Sequence, residues 1–344
     1  MRSVILPLVL GFLVACGSSD SAEETNGAPT DPGTGSSSGG TPSGSSSSGG
    51  TSTSGGTTPP PPPANKTVRF VAMGDTGDVN DGQQKVANAV AAKCKKDGCD
   101  FVQLLGDNLY ESGASSVTDP IWQSNFEVPY AAIELPFYAV LGNHDYGHNG
   151  AGTDFPKGKN EVDYTQKSKK WKMPAAYYHW TKENVEIVGL DTNMMMFGQD
   201  SQQKTDVQGW LTSSKAEWKI AMGHHPYKSN GPHGNAGSYD KIPIGPPSGS
   251  GVKSFLENNV CGKADIYLSG HDHSRQWLNE SCKGTELAVS GAGSKATELN
   301  QKNPSLFQSL ALGFLYVVID GKTLTAEFVD ENGVVEFTHT TKKT

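Results

Sequence analysis

The sequence predicts an α/β fold, and three observations carry that prediction. Short apolar runs such as residues 101–105 (Phe-Val-Gln-Leu-Leu) have the length and composition of strands in a sheet covered on both faces. Segments with helical periodicity lie between such runs. Five runs end in Gly followed at once by Asp, Asn or His: Gly74-Asp75, Gly106-Asp107, Gly142-Asn143, Gly223-His224 and Gly270-His271. Glycine lets the backbone turn sharply, and the next residue is delivered to the carboxyl edge of the sheet, where open α/β folds build their sites.

Residues 67–73 are the first predicted strand. Asp81 is placed to cap a helix over 83–96, whose Val86, Ala89, Val90 and Cys94 share one face. The strand at 101–105 follows, then a helix over 121–132, and Pro136 opens a strand over 137–141. Strands at 186–190 and 218–222 come next, with Asp206 between them as the cap of a short helix. A Gly/Pro-rich loop over 229–251 precedes a helix near 253–258, and 264–268 is another buried strand. Strands at 286–289, 314–320, 323–330 and 335–339 give the tail antiparallel hairpin character.

Residues 67–344 form this domain, and what precedes it reads as an address and a spacer. Met1-Arg2 leads into an apolar run, 4–14, too short to span a bilayer comfortably. The run ends in Leu13-Val14-Ala15-Cys16, which resembles the lipobox of a bacterial lipoprotein. That resemblance implies a signal peptide over 1–15 and lipidation of Cys16; the alternative is an ordinary secretory signal cleaved nearby. Either way export is expected, with the resemblance implying a lipid anchor in the bacterial cell envelope, facing the periplasm or the surface. Residues 16–66, nearly all Gly, Ser, Thr and Pro, cannot bury a core and are expected to be a disordered tether. Cys94, Cys99, Cys261 and Cys282 are an even number in an exported chain, so two disulfides are expected. Proximity favours Cys94–Cys99 and Cys261–Cys282; buried free thiols are the alternative.

A formal net charge of −8 with no basic face gives no support for a nucleic-acid partner. The basic cluster at 167–172 reads as a solvated loop or as a rim that draws in an anionic substrate. The residues after the five glycines, by contrast, are all metal-ligand types and none is Cys. Oxygen and imidazole donors suit borderline and hard cations. Tyr110, three residues after Asp107, can be aimed by a turn at the same point, and a tyrosine oxygen is a known iron ligand.

With Tyr110, Gly142-Asn143-His144-Asp145, Gly223-His224-His225-Pro226 and Gly270-His271-Asp272-His273, nearly all of 67–344 resembles the metallophosphoesterases. More narrowly, it resembles the purple acid phosphatases of the small, tartrate-resistant type. The resemblance implies a four-layer αββα sandwich, two mixed β-sheets packed face to face with helices on both outer sides. It implies Asp75, Asp107, Tyr110 and His273 around Fe(III), with Asp107 bridging to a second ion held by Asn143, His224 and His271. That second metal is Fe(II), Zn(II) or Mn(II), which mixed nitrogen and oxygen ligands do not distinguish. Three anionic ligands against five metal charges leave a centre that attracts a phosphate dianion in an acidic chain. The implied reaction is hydrolysis of a phosphate monoester by in-line attack of a metal-bound hydroxide on phosphorus. His144 and His233 match two histidines beside the metals and are the candidates for protonating the leaving oxygen.

Asn108 either orients substrate or braces its loop, and Asp145 and Asp272 are read as supports. His225 stands where the family usually has Tyr and Thr76 where it usually has Trp, so substrate preference is open. His225 is read as a rim residue, and His148, His179 and His339 as solvated. Met194-Met195-Met196 is an apolar rim or local packing. A small phosphorylated substrate, a membrane reached only through the N-terminal lipid, and a monomer are expected. A phosphodiesterase or nucleotidase on the same fold is the alternative, and a non-catalytic surface adhesion protein a further one.

Overall fold

The computed structural model describes residues 67–299 and 303–344; the leader, Cys16 and the tether lie outside the described residues. The chain builds β1 (Val68–Met73), α1 (Asp81–Asp97), β2 (Phe101–Leu104), β3 (Phe137–Ala139), α2 (Lys159–Tyr164) and β4 (Trp171–Lys172). It continues through β5 (Tyr178–Lys182), β6 (Val185–Gly189), α3 (Thr192–Met196), α4 (Ser201–Ser213) and β7 (Trp218–Met222). Next come α5 (Ser250–Phe255), β8 (Ile266–Ser269), β9 (Arg275–Leu278), β10 (Glu286–Ser290) and β11 (Ser305–Ser309). The last strands, β12 (Gly313–Asp320), β13 (Thr323–Asp330) and β14 (Val335–Lys342), return to the first sheet.

Among the described residues the strands order as β14-β13-β12-β1-β2-β3-β4 and β11-β9-β10-β8-β7-β6-β5, two sheets of seven. Both are mixed: β1 to β4 pair in parallel while β12 to β14 pair antiparallel, and β6, β7, β8 and β10 pair in parallel between antiparallel edges. Period-two alternation along β1 assigns its faces. Val68, Phe70 and Ala72 enter the core between the sheets with Ile220, Met222 and Leu268. Val71 and Met73 point the other way, into the cluster that contains Val86 and Val90 of α1. Beyond the second sheet, Val188 and Ala221 pack with Leu211 of α4 and Phe255 of α5. Each such side chain contributes about 1.5–3 kcal/mol by leaving water. Helix, sheet, sheet and helix therefore stack as the expected αββα sandwich. The two disulfides are Cys94–Cys99 and Cys261–Cys282.

Some local expectations are corrected. Asn80, not Asp81, caps α1: its extended backbone lets the side chain accept the Gln83 N–H at 2.9 Å. Asp81 becomes the first helical residue, where a negative charge complements the helix dipole. Asp206 caps nothing, because α4 already begins at Ser201. Gln203, bonded both ways to the Asp191 backbone, anchors that earlier turn, and Asp206 instead accepts from the Tyr177 hydroxyl. The helix expected over 121–132 is a short turn that widens into a π-helical segment, Gln123–Glu127. His339 is half-buried beside Trp277 and paired with Glu286 rather than solvated.

Hydrogen bonds gather the strand ends into one place. The Asp75 N–H donates to Gly106 O and the Gly270 N–H to His224 O, both at 3.0 Å. The His271 N–H crosses from the second sheet to Asp75 Oδ2 on the first, at 2.9 Å.

Candidate metal centre

The backbone at the strand ends is held in costly conformations. Asp75, Asp107 and His271 sit at φ of 59°, 51° and 69°, each costing a non-glycine residue roughly 1–3 kcal/mol. Two glycines make room for them. A Cβ on Gly106 (φ 89°) would lie 2.6 Å from His224 Nδ1, and one on Gly142 would lie 2.2 Å from Asp107 Oδ1. No side chain larger than hydrogen is compatible with that approach.

Seven side chains from separate loops converge as a result. The Tyr110 hydroxyl lies 3.1 Å from Asp75 Oδ1, 3.1 Å from Asp107 Oδ2 and 3.3 Å from His273 Nε2. Beside this group, His224 Nε2 lies 3.0 Å from Asn143 Oδ1, 3.1 Å from His271 Nδ1 and 3.3 Å from Asp107 Oδ2. Asp107 Oδ2 belongs to both sets. The outward carboxylate oxygens are occupied: Asp75 Oδ2 accepts the His271 N–H, and Asp107 Oδ1 accepts the His144 N–H at 2.9 Å. The His224 Nδ1–H is directed at Leu105 O, and the Asn143 amide nitrogen donates to Gly150 O, so the facing atoms are lone-pair donors.

Proton counting shows what this arrangement suits. One phenol proton cannot serve three acceptors, and His224 Nε2 and the three acceptor atoms around it repel one another unless a cation lies among them. An ion about 2.0–2.2 Å from adjacent nitrogen and oxygen ligands needs those ligands roughly 3 Å apart, the spacing present in both sets. The donors therefore fit two cations sharing Asp107. Titration without cations reflects the same crowding. Burial pushes the Tyr110 phenol well above its ordinary value, and the Asp107 and Asp75 carboxylates push it further. Burial also works to raise Asp107 and lower His224, but their mutual charge and hydrogen bond prevail. Asp107 is held well below the usual carboxylate range, and His224 is pushed up to about 9.

The supports act as expected. Asp145 Oδ1 accepts the Asn108 and Leu109 N–H groups while its Oδ2 accepts the Gly142 N–H, locking the β2 and β3 loops together. Asp272 Oδ1 accepts the His233 N–H. Asn108 is a brace: its amide donates to Val140 O, Asp145 and Glu161. Glu161 was not singled out in the sequence. It is fully buried, and desolvation plus the adjacent Asp145 charge push its carboxyl well above the usual range. Thr192, Tyr239, Asp240 and Lys295 were missed too; the Lys295 ammonium sits 3.6 Å over the Tyr110 ring. Only loop geometry brings them in, and no strand-end motif marks them.

His144 and His233 flank the centre differently. The His144 ring lies 4.4 Å from the Tyr110 ring, with Nδ1 2.7 Å from Glu111 O. His233 stacks on His271 at 4.1 Å, its Nδ1 2.9 Å from Asp240 Oδ1. A cleft of about 390 Å³ opens here, lined by Asn143, His225, His233, His271, Met196 and Phe197 among others. Of the methionine run, then, Met196 reaches the cleft, whereas Met195 is buried in the core under α5. His225 is not at the rim: it is fully buried at the back of this cleft. The basic cluster at 167–172 lines a separate cavity of about 750 Å³. Lys170 O accepts the Phe137 N–H at the start of β3, the end opposite Asn143, so those lysines do not form a rim around the centre.

Strand ends from two packed sheets, presenting two donor sets that share one carboxylate, define a metallophosphoesterase. The chain belongs to the calcineurin-like phosphoesterase family, whose model matches residues 68–275. It is similar to purple acid phosphatase 3 of Arabidopsis thaliana, at 30% identity over 81% of this chain and 78% of that protein. It is also similar to tartrate-resistant acid phosphatase type 5 of Homo sapiens, at 28% identity over 78% of this chain and 89% of that protein. Among solved structures, purple acid phosphatase PPD1 from yellow lupin (Lupinus luteus) seeds shares the fold at a TM-score of 0.63 and 19% identity, covering 82% of this chain and 55% of that one. GAP50 of Plasmodium, the anchor in the inner membrane complex, shares it at a TM-score of 0.64 and 22% identity, covering 80% of this chain and 89% of that one.

Proposed function

We propose that the protein is a binuclear-metal acid phosphatase that hydrolyses phosphate monoesters. The observation that carries this reading is the Tyr110 phenol, 3.1 Å from both Asp75 and Asp107, because a phenolate suits ferric iron. The similarity to purple and tartrate-resistant acid phosphatases supports it. Asp75, Tyr110, His273 and Asp107 would hold Fe(III), and Asn143, His224, His271 and the shared Asp107 would hold a divalent ion, Fe(II), Zn(II) or Mn(II). Bound metals supply charge neutralisation at the phosphoryl oxygens and a water of lowered pKa. Asp145, through its bonds to both loops, keeps Asp107 and Asn143 in register. His233 lines the cleft and has Nδ1 engaged by Asp240, so Nε2 is left to hand a proton to the leaving oxygen. His144 orients Asp107 through its main-chain N–H and packs on Tyr110.

Purified protein is expected to carry iron, to absorb in the visible and to cleave aryl monoesters in preference to diesters. Tyr110→Phe should lose the visible band while retaining the divalent ion. A colourless, iron-free and fully active wild type overturns the Tyr110 assignment, and faster cleavage of diesters overturns the substrate class. The disulfides favour an oxidising compartment, and export with a lipid on Cys16 completes the proposal. Cys16→Ser should then move the protein from the membrane to the soluble fraction; unchanged membrane association argues against the anchor.

A further inference from the structure

The proposed chemistry leaves the buried imidazole of His225 unused. His225 is fully buried, yet its Nε2 has no hydrogen-bond partner among the described residues, and the ring lines the cleft beside Asn143, His233 and His271. Its ring centre is 4.5 Å from that of His271 and 5.0 Å from that of His224. A ring nitrogen of each of the three lies within 4.8 Å of the others. A buried polar atom without a partner is costly, so one on a ring that lines a cleft points to something that binds there.

The tautomer decides what it binds. Thr192 Oγ1 accepts the His225 main-chain N–H at 3.1 Å and lies 2.8 Å from His225 Nδ1. If the threonine hydroxyl donates its proton to Nδ1, every group there is satisfied and Nε2 carries the hydrogen. The reverse assignment would free the Nε2 lone pair for a metal but strand the hydroxyl proton of a fully buried Thr192. His224 is the contrast: its Nδ1 faces a carbonyl, Leu105 O, which can only accept, so its Nε2 is a lone-pair donor. Among the described residues the cleft is lined by no Lys or Arg, so its side-chain donors to a bound phosphate are imidazole, amide and hydroxyl groups.

The geometry points to His225 as a phosphate-binding residue, whose Nε2–H donates to a phosphoryl oxygen of substrate and product in the cleft. The assignment rests on the phosphatase reading of the same site and adds a donor to it. Thr192 is its positioning residue, fixing the ring through Nδ1 and the backbone.

The test is calorimetric titration of inorganic phosphate into metal-loaded wild type, His225→Phe and His225→Gln, with metal content measured for each. His225→Phe should keep both metals and bind phosphate about tenfold more weakly, the loss of a hydrogen bond to an anion. His225→Gln, whose amide nitrogen can reach the Nε2 position, should recover most of that affinity. If the Phe variant does not fold, His225→Asn, which can still engage Thr192 but is too short to reach the cleft, gives the same reading. Unchanged phosphate affinity overturns the assignment, because the ring then only packs. Loss of one metal equivalent also overturns it, because the ring is then a ligand. Wild-type turnover separates this from the parent reading. A wild type that binds phosphate through His225 but cleaves only diesters refutes the monoesterase alone. Monoester turnover with phosphate binding indifferent to residue 225 refutes the His225 assignment alone. A metal-loaded wild type that binds no phosphate refutes both.

Discussion

Asp107→Asn is expected to lower kcat/KM by roughly 10³-fold or more, beyond the 10²–10³ typical of losing one stabilising donor, and to release metal from both donor sets. The size of the effect follows from one oxygen. Asp107 Oδ2 is 3.1 Å from the Tyr110 hydroxyl and 3.3 Å from His224 Nε2, so it is the only atom common to the two groups. Asparagine has the same shape, and its amide oxygen can still accept the His144 N–H that Asp107 Oδ1 accepts now. That choice turns the –NH₂ inward, where it cannot ligate; the opposite flip presents a neutral oxygen and leaves the backbone donor unpaired. Either way an anionic bridge is lost and cation repulsion rises. Circular dichroism should show an unchanged fold, because asparagine keeps the shape of Asp107 and a side-chain oxygen that can accept the His144 N–H. Full metal content with activity within tenfold of wild type would mean that the two donor sets do not share Asp107.

The strand ends were legible because each combines an apolar run, a glycine and a polar residue, and all three signals are local. What escaped is non-local. β9 reads Arg-Gln-Trp-Leu, a poor strand by composition, yet Arg275 and Gln276 are fully buried. Arg275 donates to Ala311 O, Ser309 and Glu336, and Gln276 bonds the Asn230 N–H and Ser229, partners 34 to 61 and 46 to 47 residues away. β4 has only two residues, too few for any periodicity. His225 was misread for a related reason. Next to a proline and a Gly-rich loop it looks exposed, and Thr192 on α3, the Tyr267 hydroxyl, which donates to its carbonyl, and the Tyr239 ring draw it inside. Chemistry carried by a motif could be read from sequence, while chemistry assembled from distant loops required the fold.

Removing the metals should cost more stability than any single substitution outside the centre. Without cations, buried Asp75 and Asp107 face Tyr110, His273 and His224 across gaps of 3.1 to 3.4 Å, and three residues in left-handed conformations hold them there. That strain and crowding oppose folding, so ion binding works against both. Ligand present at 100 to 1,000 times its Kd stabilises by about 2.7–4.1 kcal/mol per site. Two sites therefore give roughly 5–8 kcal/mol, and at about 2–4 °C per kcal/mol for a domain of this size the chelated protein should melt at least 10 °C lower. Restoring two metal ions should recover the loss in two steps, whereas His224→Ala should recover only the step that belongs to the Tyr110 donor set. The direction of the pH effect follows from Tyr110. Its phenol is raised well above its ordinary value by burial and then by Asp107 and Asp75, so a cation that takes Tyr110 as a ligand must expel a tightly held proton. Protons compete better as pH falls, and the metal-induced gain in Tm should shrink from neutral toward acid pH. A chelated protein that melts with the loaded one, at either pH, would show that these seven side chains meet without holding anything.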